Sequence, residues 1–169
     1  MSTRGQVGIV TESESSPRAR RIFLFRMTLE GVDALQQAWE ALAEGRGHRA
    51  GHPVPVYSAE DPDTAEREFR AHLPPDPVGT KVRTTPLTFD GLLLDGTSAV
   101  VQQAAGVSHE GLVDEGDRSH TQALCDYARS VGADAVRVPS VRHEGGFNVI
   151  IFYESRTTLT PGEPTKRAL

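Results

Sequence analysis

The chain has 169 residues, 37% of them hydrophobic and 24% charged, which fits a single globular domain with room for a buried core. A net charge of −5 and an aromatic content of 6% argue against a chain built to seek nucleic acid or an anionic membrane. The one cysteine, Cys125, excludes an internal disulfide and fits a reducing, cytoplasmic setting. No apolar run is long enough to span a membrane, and no signal peptide is visible at the start.

Residues 1–21 are rich in Ser, Glu and Arg without apolar periodicity and are expected to form a flexible tail. Ile22, Phe23, Leu24 and Phe25 form a continuous apolar run, expected to be a buried strand that Arg26 closes. Residues 29–44 are expected to be helical. Val32, Leu35, Ala38, Trp39 and Leu42 fall on one face, and Gly45 is a natural stop. The stretch 45–53 is a glycine-rich loop whose bare backbone permits close approach to a ligand. Its spacing is not that of a dinucleotide fingerprint, because it follows a helix and enters a strand. His48 and His52 do not share a helical face there, and no metal site is expected. Arg46 and Arg49 are candidate phosphate clamps, with two solvated loop arginines as the plain alternative.

Residues 51–59 are expected to hold a short strand carrying Val54, Val56 and Tyr57. A helix follows, with Asp61 at its N-cap, Pro62 in its first position and Asp63 in its first turn. Ala65, Phe69 and His72 with Leu73 form its apolar stripe. Glu68 lies beside that stripe. It is either a solvated helix glutamate or a carboxylate at the edge of a pocket.

Pro74, Pro75 and Pro77 mark a stiff connector. Residues 81–88 form an expected strand, which Pro86 assigns to an edge, and 92–95 form a separate short apolar segment. A short helix over 97–105 ends at Gly106, and 107–117 are expected to be loop. A helix over 119–131 buries Leu124, Cys125, Ala128 and Val131 and stops at Gly132. Thr121 and Gln122 lie in its first turn, where they either face a ligand or, by default, are exposed. A strand over 135–138 leads to Pro139 and Ser140, then a mobile loop over 142–146, a buried strand over 148–153 and a polar tail over 154–169. The elements therefore predict a mixed α+β domain over 22–153 between two tails.

Three blocks carry a family resemblance. The first runs from Gly45 and Arg46 through Gly51, His52, Pro53 and Val54 to Tyr57, Ser58 and Ala59. The second is Ala65, Glu66, Arg67 and Glu68. The third joins Thr121 to Leu124, then Gly132, Val138, Pro139 and Ser140, and Asn148 to Phe152. Phe25 and Arg26 also look like the opening strand of the same family. Together these blocks resemble the RES-domain family, toxins of bacterial RES–Xre toxin–antitoxin pairs. The resemblance implies central sheets with flanking helices, as in ADP-ribosyltransferases, and an enzyme that destroys NAD⁺.

In that activity, phosphorylase or glycohydrolase, the nicotinamide–ribose bond breaks with phosphate or water as acceptor. NAD⁺ is then a substrate, inorganic phosphate a possible co-substrate, and no cofactor or metal is implied. The implied partners are an Xre-type antitoxin and a second copy of the chain. By position the resemblance makes Arg46, Tyr57, Glu68 and Ser140 catalytic, with Arg26, Arg49 and Asn148 binding NAD⁺. The family's Trp-Asn pair after the motif arginine is missing here, which leaves Arg49 as the alternative to Arg46. The rival reading is a catalytically altered module of the same fold that binds a nucleotide or protein without turnover.

Overall fold

The computed structural model describes residues 14–35 and 45–169. Its frame is a long antiparallel pair. β1 (Arg18–Leu29) runs against β3 (Lys81–Asp95) from Arg18 opposite Leu93 to Leu29 opposite Val82. β2 (Val56–Ala59) meets β1 at Phe25 opposite Ala59 and lies antiparallel to β5 (Phe147–Ile151). β5 pairs antiparallel with β4 (Ala135–Pro139), and β4 pairs parallel with the end of β3. Because β3 also pairs with β1, the five strands close on themselves into a single compact α+β domain.

One face of this closed sheet buries Leu24, Val56, Leu87, Phe89, Ala135, Val149 and Ile151. The other face buries Leu94, Val136, Val138 and Ile150 against three helices: α2 (Ala99–Ala105), α3 (His109–Val113) and α4 (Ser119–Ser130). Val149, Ile150 and Ile151 are all buried, since β5 is covered on both faces, and this explains their unbroken apolar run.

The helix expected after β2 is present as α1 (Pro62–Arg70). Asp61 caps it, its Oδ1 accepting the Thr64 amide at 2.8 Å, and Pro62 takes the first position. Only Thr64 and Ala65 are fully buried. Phe69 is half-buried, and His72 lies past the helix and is exposed. α2 and α4 also match their expected spans. Gly106 adopts φ 69° at the end of α2, a left-handed stop that glycine takes without a Cβ penalty.

Several expectations are corrected. The run from Ile22 to Phe25 is not continuously buried: Leu24 is at 0% exposure but Phe23 is 71% exposed, the alternation of a strand with one wet face. β1 also extends through Arg18–Arg21 and past Arg26 to Leu29, because β3 supplies partners along its whole length. The helix expected from residue 29 is absent over its first turns, where Leu29 ends β1 and Val32 N bonds Leu29 O in a turn at Gly31. Residues 36–44, with Ala38, Trp39 and Leu42, lie outside the described residues.

β3 is no edge strand and absorbs the segment 92–95. Its second side pairs with β7 (Thr165–Ala168) over Lys81–Thr84, with β6 (Leu159–Pro161) over Leu87–Phe89, and with β4 from Leu93. Pro86 is tolerated because it falls in the gap between β7 and β6, where it still accepts the Gly162 amide at 2.8 Å.

Residues 107–117 are not all loop, since Ser108 caps α3 by accepting the Gly111 amide. The C-terminal stretch is no tail. A 3₁₀ turn (Tyr153–Thr158), β6 and β7 fold back on β3, so among the described residues regular structure runs from Arg18 to Ala168. The strands β6 and β7 carry no apolar alternation, being held by backbone pairing, and periodicity could not reveal them. Among the described residues, no helix is long and apolar enough to cross a membrane.

Candidate functional site

Glu68 projects from α1 toward the ends of β4 and β5. Its Oε1 accepts two bonds, from Ser140 Oγ at 2.6 Å and from Asn148 Nδ2 at 2.7 Å. Ser140 follows the last residue of β4, and Asn148 stands in β5 opposite Val138, so the sheet register sets both donors side by side. Ser140 is buried, and its Oγ also accepts the backbone amides of Arg142 and His143, each at 3.1 Å. With its lone pairs taken by N–H donors, the hydroxyl proton is committed to Glu68. Glu68 is half-buried, and among the described residues its Oε2 accepts no hydrogen bond. One carboxylate oxygen is thus fixed by two donors from the sheet side.

Tyr57 lies on the same face of the sheet. It stands opposite Ile150 as Ala59 stands opposite Asn148, two positions along each strand. Its hydroxyl accepts the Gly47 amide at 3.0 Å and shares a hydrogen bond with His48 Nδ1 at 3.0 Å. Burial pushes the Tyr57 phenol well above its ordinary range, with the Gly47 hydrogen bond opposing. Here the glycines of the loop permit close approach to the protein itself. A Cβ on Gly45 would lie 2.2 Å from His48 Cε1 and 2.7 Å from Tyr57 Oη, and one on Gly47 would lie 2.8 Å from Ile150.

The arginines divide. Arg46 donates from Nη2 to Leu112 O at 2.7 Å and from Nη1 to Asp114 O at 3.1 Å, tying the loop to the C-terminal end of α3. Its pKa is lowered, chiefly by burial. The Glu68 carboxylate opposes that lowering, while the Arg118 and Arg142 cations add to it. Arg46 thus feels the Glu68 and Asp114 carboxylates on one side of the balance and the Arg118 and Arg142 cations on the other. Arg142 is also paired with Glu115. Arg49 points elsewhere, to Gln122 Oε1 at 3.2 Å and Asp126 at 3.0 Å on α4. Arg26 is half-buried on β1 and donates to Ala34 O at 2.8 Å. Burial lowers its pKa, with Asp33 and Tyr57 opposing.

Glu68, Ser140 and Asn148 are therefore brought into direct contact; Tyr57 shares the sheet face of Asn148, Arg46 feels the Glu68 charge, Arg26 is felt by Tyr57, and Arg49 turns to α4. Thr121 and Gln122, expected by default to be exposed on α4, are buried. The loop folds over the first turn of the helix, where Gln122 Nε2 donates to Gly45 O at 3.1 Å and His48 O at 3.3 Å. The loop over 142–146 is tied rather than loose: Ser140 N bonds Gly146 O and Gly146 N bonds His143 O, each at 2.9 Å. Sequence reasoning passed over Arg118, Arg142, Thr64 and His143, none of which stands in a periodic or spaced pattern. Among the described residues, no group of three His, Cys, Asp or Glu side chains is placed to hold a metal ion.

A family model described as the RES domain matches residues 18–163. The chain belongs to the RES domain family. This RES domain is also similar to a chain in the crystal structure of the M. tuberculosis MbcT–MbcA toxin–antitoxin complex, with a TM-score of 0.74 and 19% identity over 91% of this chain and 88% of that one. At that identity the likeness establishes the shared fold. A comparison with curated proteins finds no match.

Proposed function

We propose that this RES domain is an NAD⁺-degrading toxin that breaks the bond between nicotinamide and ribose, with phosphate or water as acceptor. The observation that carries the reading is the Glu68 carboxylate, with Oε1 held by Ser140 and Asn148 and its charge felt by Arg46. As nicotinamide leaves, the ribose gains oxocarbenium character, and a carboxylate of set orientation stabilises that charge. Oε1 is held by Ser140 and Asn148, and Oε2 accepts from a ribose hydroxyl. Tyr57 offers its ring as a wall for nicotinamide. Arginine N–H groups turned to the site hold the diphosphate, and Arg46 has donors beyond the two spent on α3.

Incubation of the purified protein with NAD⁺, with and without phosphate, tests this directly. Nicotinamide with ADP-ribose marks hydrolysis, and nicotinamide with ADP-ribose phosphate marks phosphorolysis. Intact NAD⁺ under both conditions ends the reading. By the same reading, an antitoxin of the Xre type neutralises the protein in the cytoplasm, and two copies of the chain associate. Growth arrest relieved by a co-expressed neighbouring gene, and the mass of the purified protein in solution, check these two parts.

One observation favours a second reading, a module that binds a nucleotide or protein without turnover: both Nη groups of Arg46 already serve backbone carbonyls. Calorimetric binding of NAD⁺ with no products decides for it.

A further inference from the structure

The Glu68–Ser140 pair stands at one end of a longer chain of contacts. Thr64, fully buried in the first turn of α1, donates its hydroxyl to Asp61 Oδ2 at 2.6 Å, while its amide donates to Asp61 Oδ1. The same Thr64 Oγ1 lies 2.7 Å from His143 Nδ1. Since the threonine proton is spent on a carboxylate, the imidazole must be the donor in this contact. His143 therefore carries its proton on Nδ1. The backbone amide of His143 in turn donates to Ser140 Oγ, whose own proton goes to Glu68. Gly146 closes the loop over this contact. A Cβ there would lie 2.4 Å from Thr64 Oγ1 and 2.9 Å from His143 Nδ1, so the bare backbone is what lets the two side chains meet.

We propose that Thr64 and His143 are positioning residues, locking the loop over residues 140–146 onto the start of α1 so that Ser140 holds Glu68 in its productive orientation. Glu68 lies one turn after Thr64 on the same helix. The lock thus fixes both ends of the Ser140–Glu68 bond from a point that substrate does not touch. It acts through geometry, and losing it costs turnover more than affinity.

The inference rests on the NAD⁺-cleaving reading, and two kinds of measurement separate them. In NAD⁺ turnover, Thr64→Val and His143→Ala each lower kcat about tenfold or more with KM changed less than about twofold. Thr64→Ser keeps the hydroxyl. His143→Asn places an amide N–H near the position of Nδ1–H. Each recovers most of the lost rate. The double variant Thr64→Val with His143→Ala is no worse than the poorer single, because both break one contact. Hydrogen exchange of peptides over residues 140–146 follows the same order: faster in the Val and Ala variants, protected in the Ser and Asn variants.

Unchanged kcat in folded Thr64→Val and His143→Ala overturns the inference, as does a His143→Asn variant no better than His143→Ala. Where Thr64→Val does not fold, the His143 series decides alone, since that side chain is half-buried. A wild-type protein that leaves NAD⁺ intact sinks the functional reading only. The exchange measurement then decides the lock, and equal protection in all variants removes it.

Discussion

Asn148 Nδ2 reaches Glu68 Oε1 at 2.7 Å across a separation of 80 positions, joining the middle of β5 to the face of α1. Ser140 donates to the same oxygen. Two donors on one oxygen restrain the carboxylate, whose charge is felt by Arg46. A helix glutamate left to solvent would have no such constraint.

Glu68→Gln keeps a carbonyl oxygen for Ser140 and Asn148 but removes the negative charge. Turnover of NAD⁺ is expected to fall by about 10² to 10³, the range for loss of one preorganised electrostatic group, while the circular dichroism spectrum stays unchanged. Full activity in this variant excludes Glu68 from the chemistry.

The two loop arginines are expected to behave differently. Arg46 uses its planar fork to reach Leu112 O and Asp114 O, and an ammonium cannot span both. Arg46→Lys should lower both turnover and melting temperature. Arg49 and Asp126 form a pair whose side chains are 49% and 55% exposed, and such pairs contribute at most about 1 kcal/mol. Arg49→Ala should keep turnover within about twofold. Kinetics ranking the two the other way would make Arg49 the functional member.

Tyr57→Phe removes the acceptor of the Gly47 amide and a partner of His48. Leaving a buried amide unpaired costs about 1 to 3 kcal/mol, and the melting temperature should drop accordingly. The phenol also sets an alkaline limit. Burial raises its pKa in the fold above the ordinary value of about 10, so below that pH it is neutral in both states and its contribution is intact. Above about pH 10 the unfolded chain ionises first, and stability falls until the folded pKa is passed. Melting curves from about pH 9 to 11 should therefore steepen downward in the wild type and less so in Tyr57→Phe. Identical slopes would assign the loss to other groups.

Cys125 is fully buried on α4, and burial pushes its thiol up to about 12. With little thiolate and no access, it should react with a thiol reagent at pH 8 only as fast as the protein unfolds. Titration with and without denaturant checks this. Rapid labelling of the native protein would contradict the packing of α4 on the sheet.

Helix ends were legible because their signals are local. Asp61, Pro62 and Asp63 mark the start of α1 within three positions, and Gly106 and Gly132 mark the ends of α2 and α4. Glu68 stood out as an acid at the margin of an apolar stripe, and it proved half-buried. Legibility failed where backbone pairing rather than side-chain pattern decides structure. β6 and β7 are polar strands recruited by β3, and Arg18–Arg21 are strand only because Asp90 to Leu93 lie opposite. Thr121 and Gln122 were assigned to solvent by default because nothing in their own helix reports that a loop from residues 45–49 covers them.

By itself, then, the amino-acid order determined where α1, α2 and α4 begin and end and which side chains, Tyr57, Glu68, Ser140 and Asn148, bring acid, donor and ring chemistry to the molecule. Tertiary structure alone decided that Ser140 and Asn148 converge on one oxygen of Glu68, that Arg46 turns to the end of α3 while Arg49 turns to α4, and that His143 reaches Thr64. The physical reason is range. Capping and periodicity act within a few residues, whereas strand register and loop packing join positions far apart in the chain, and no local preference encodes which of them will meet.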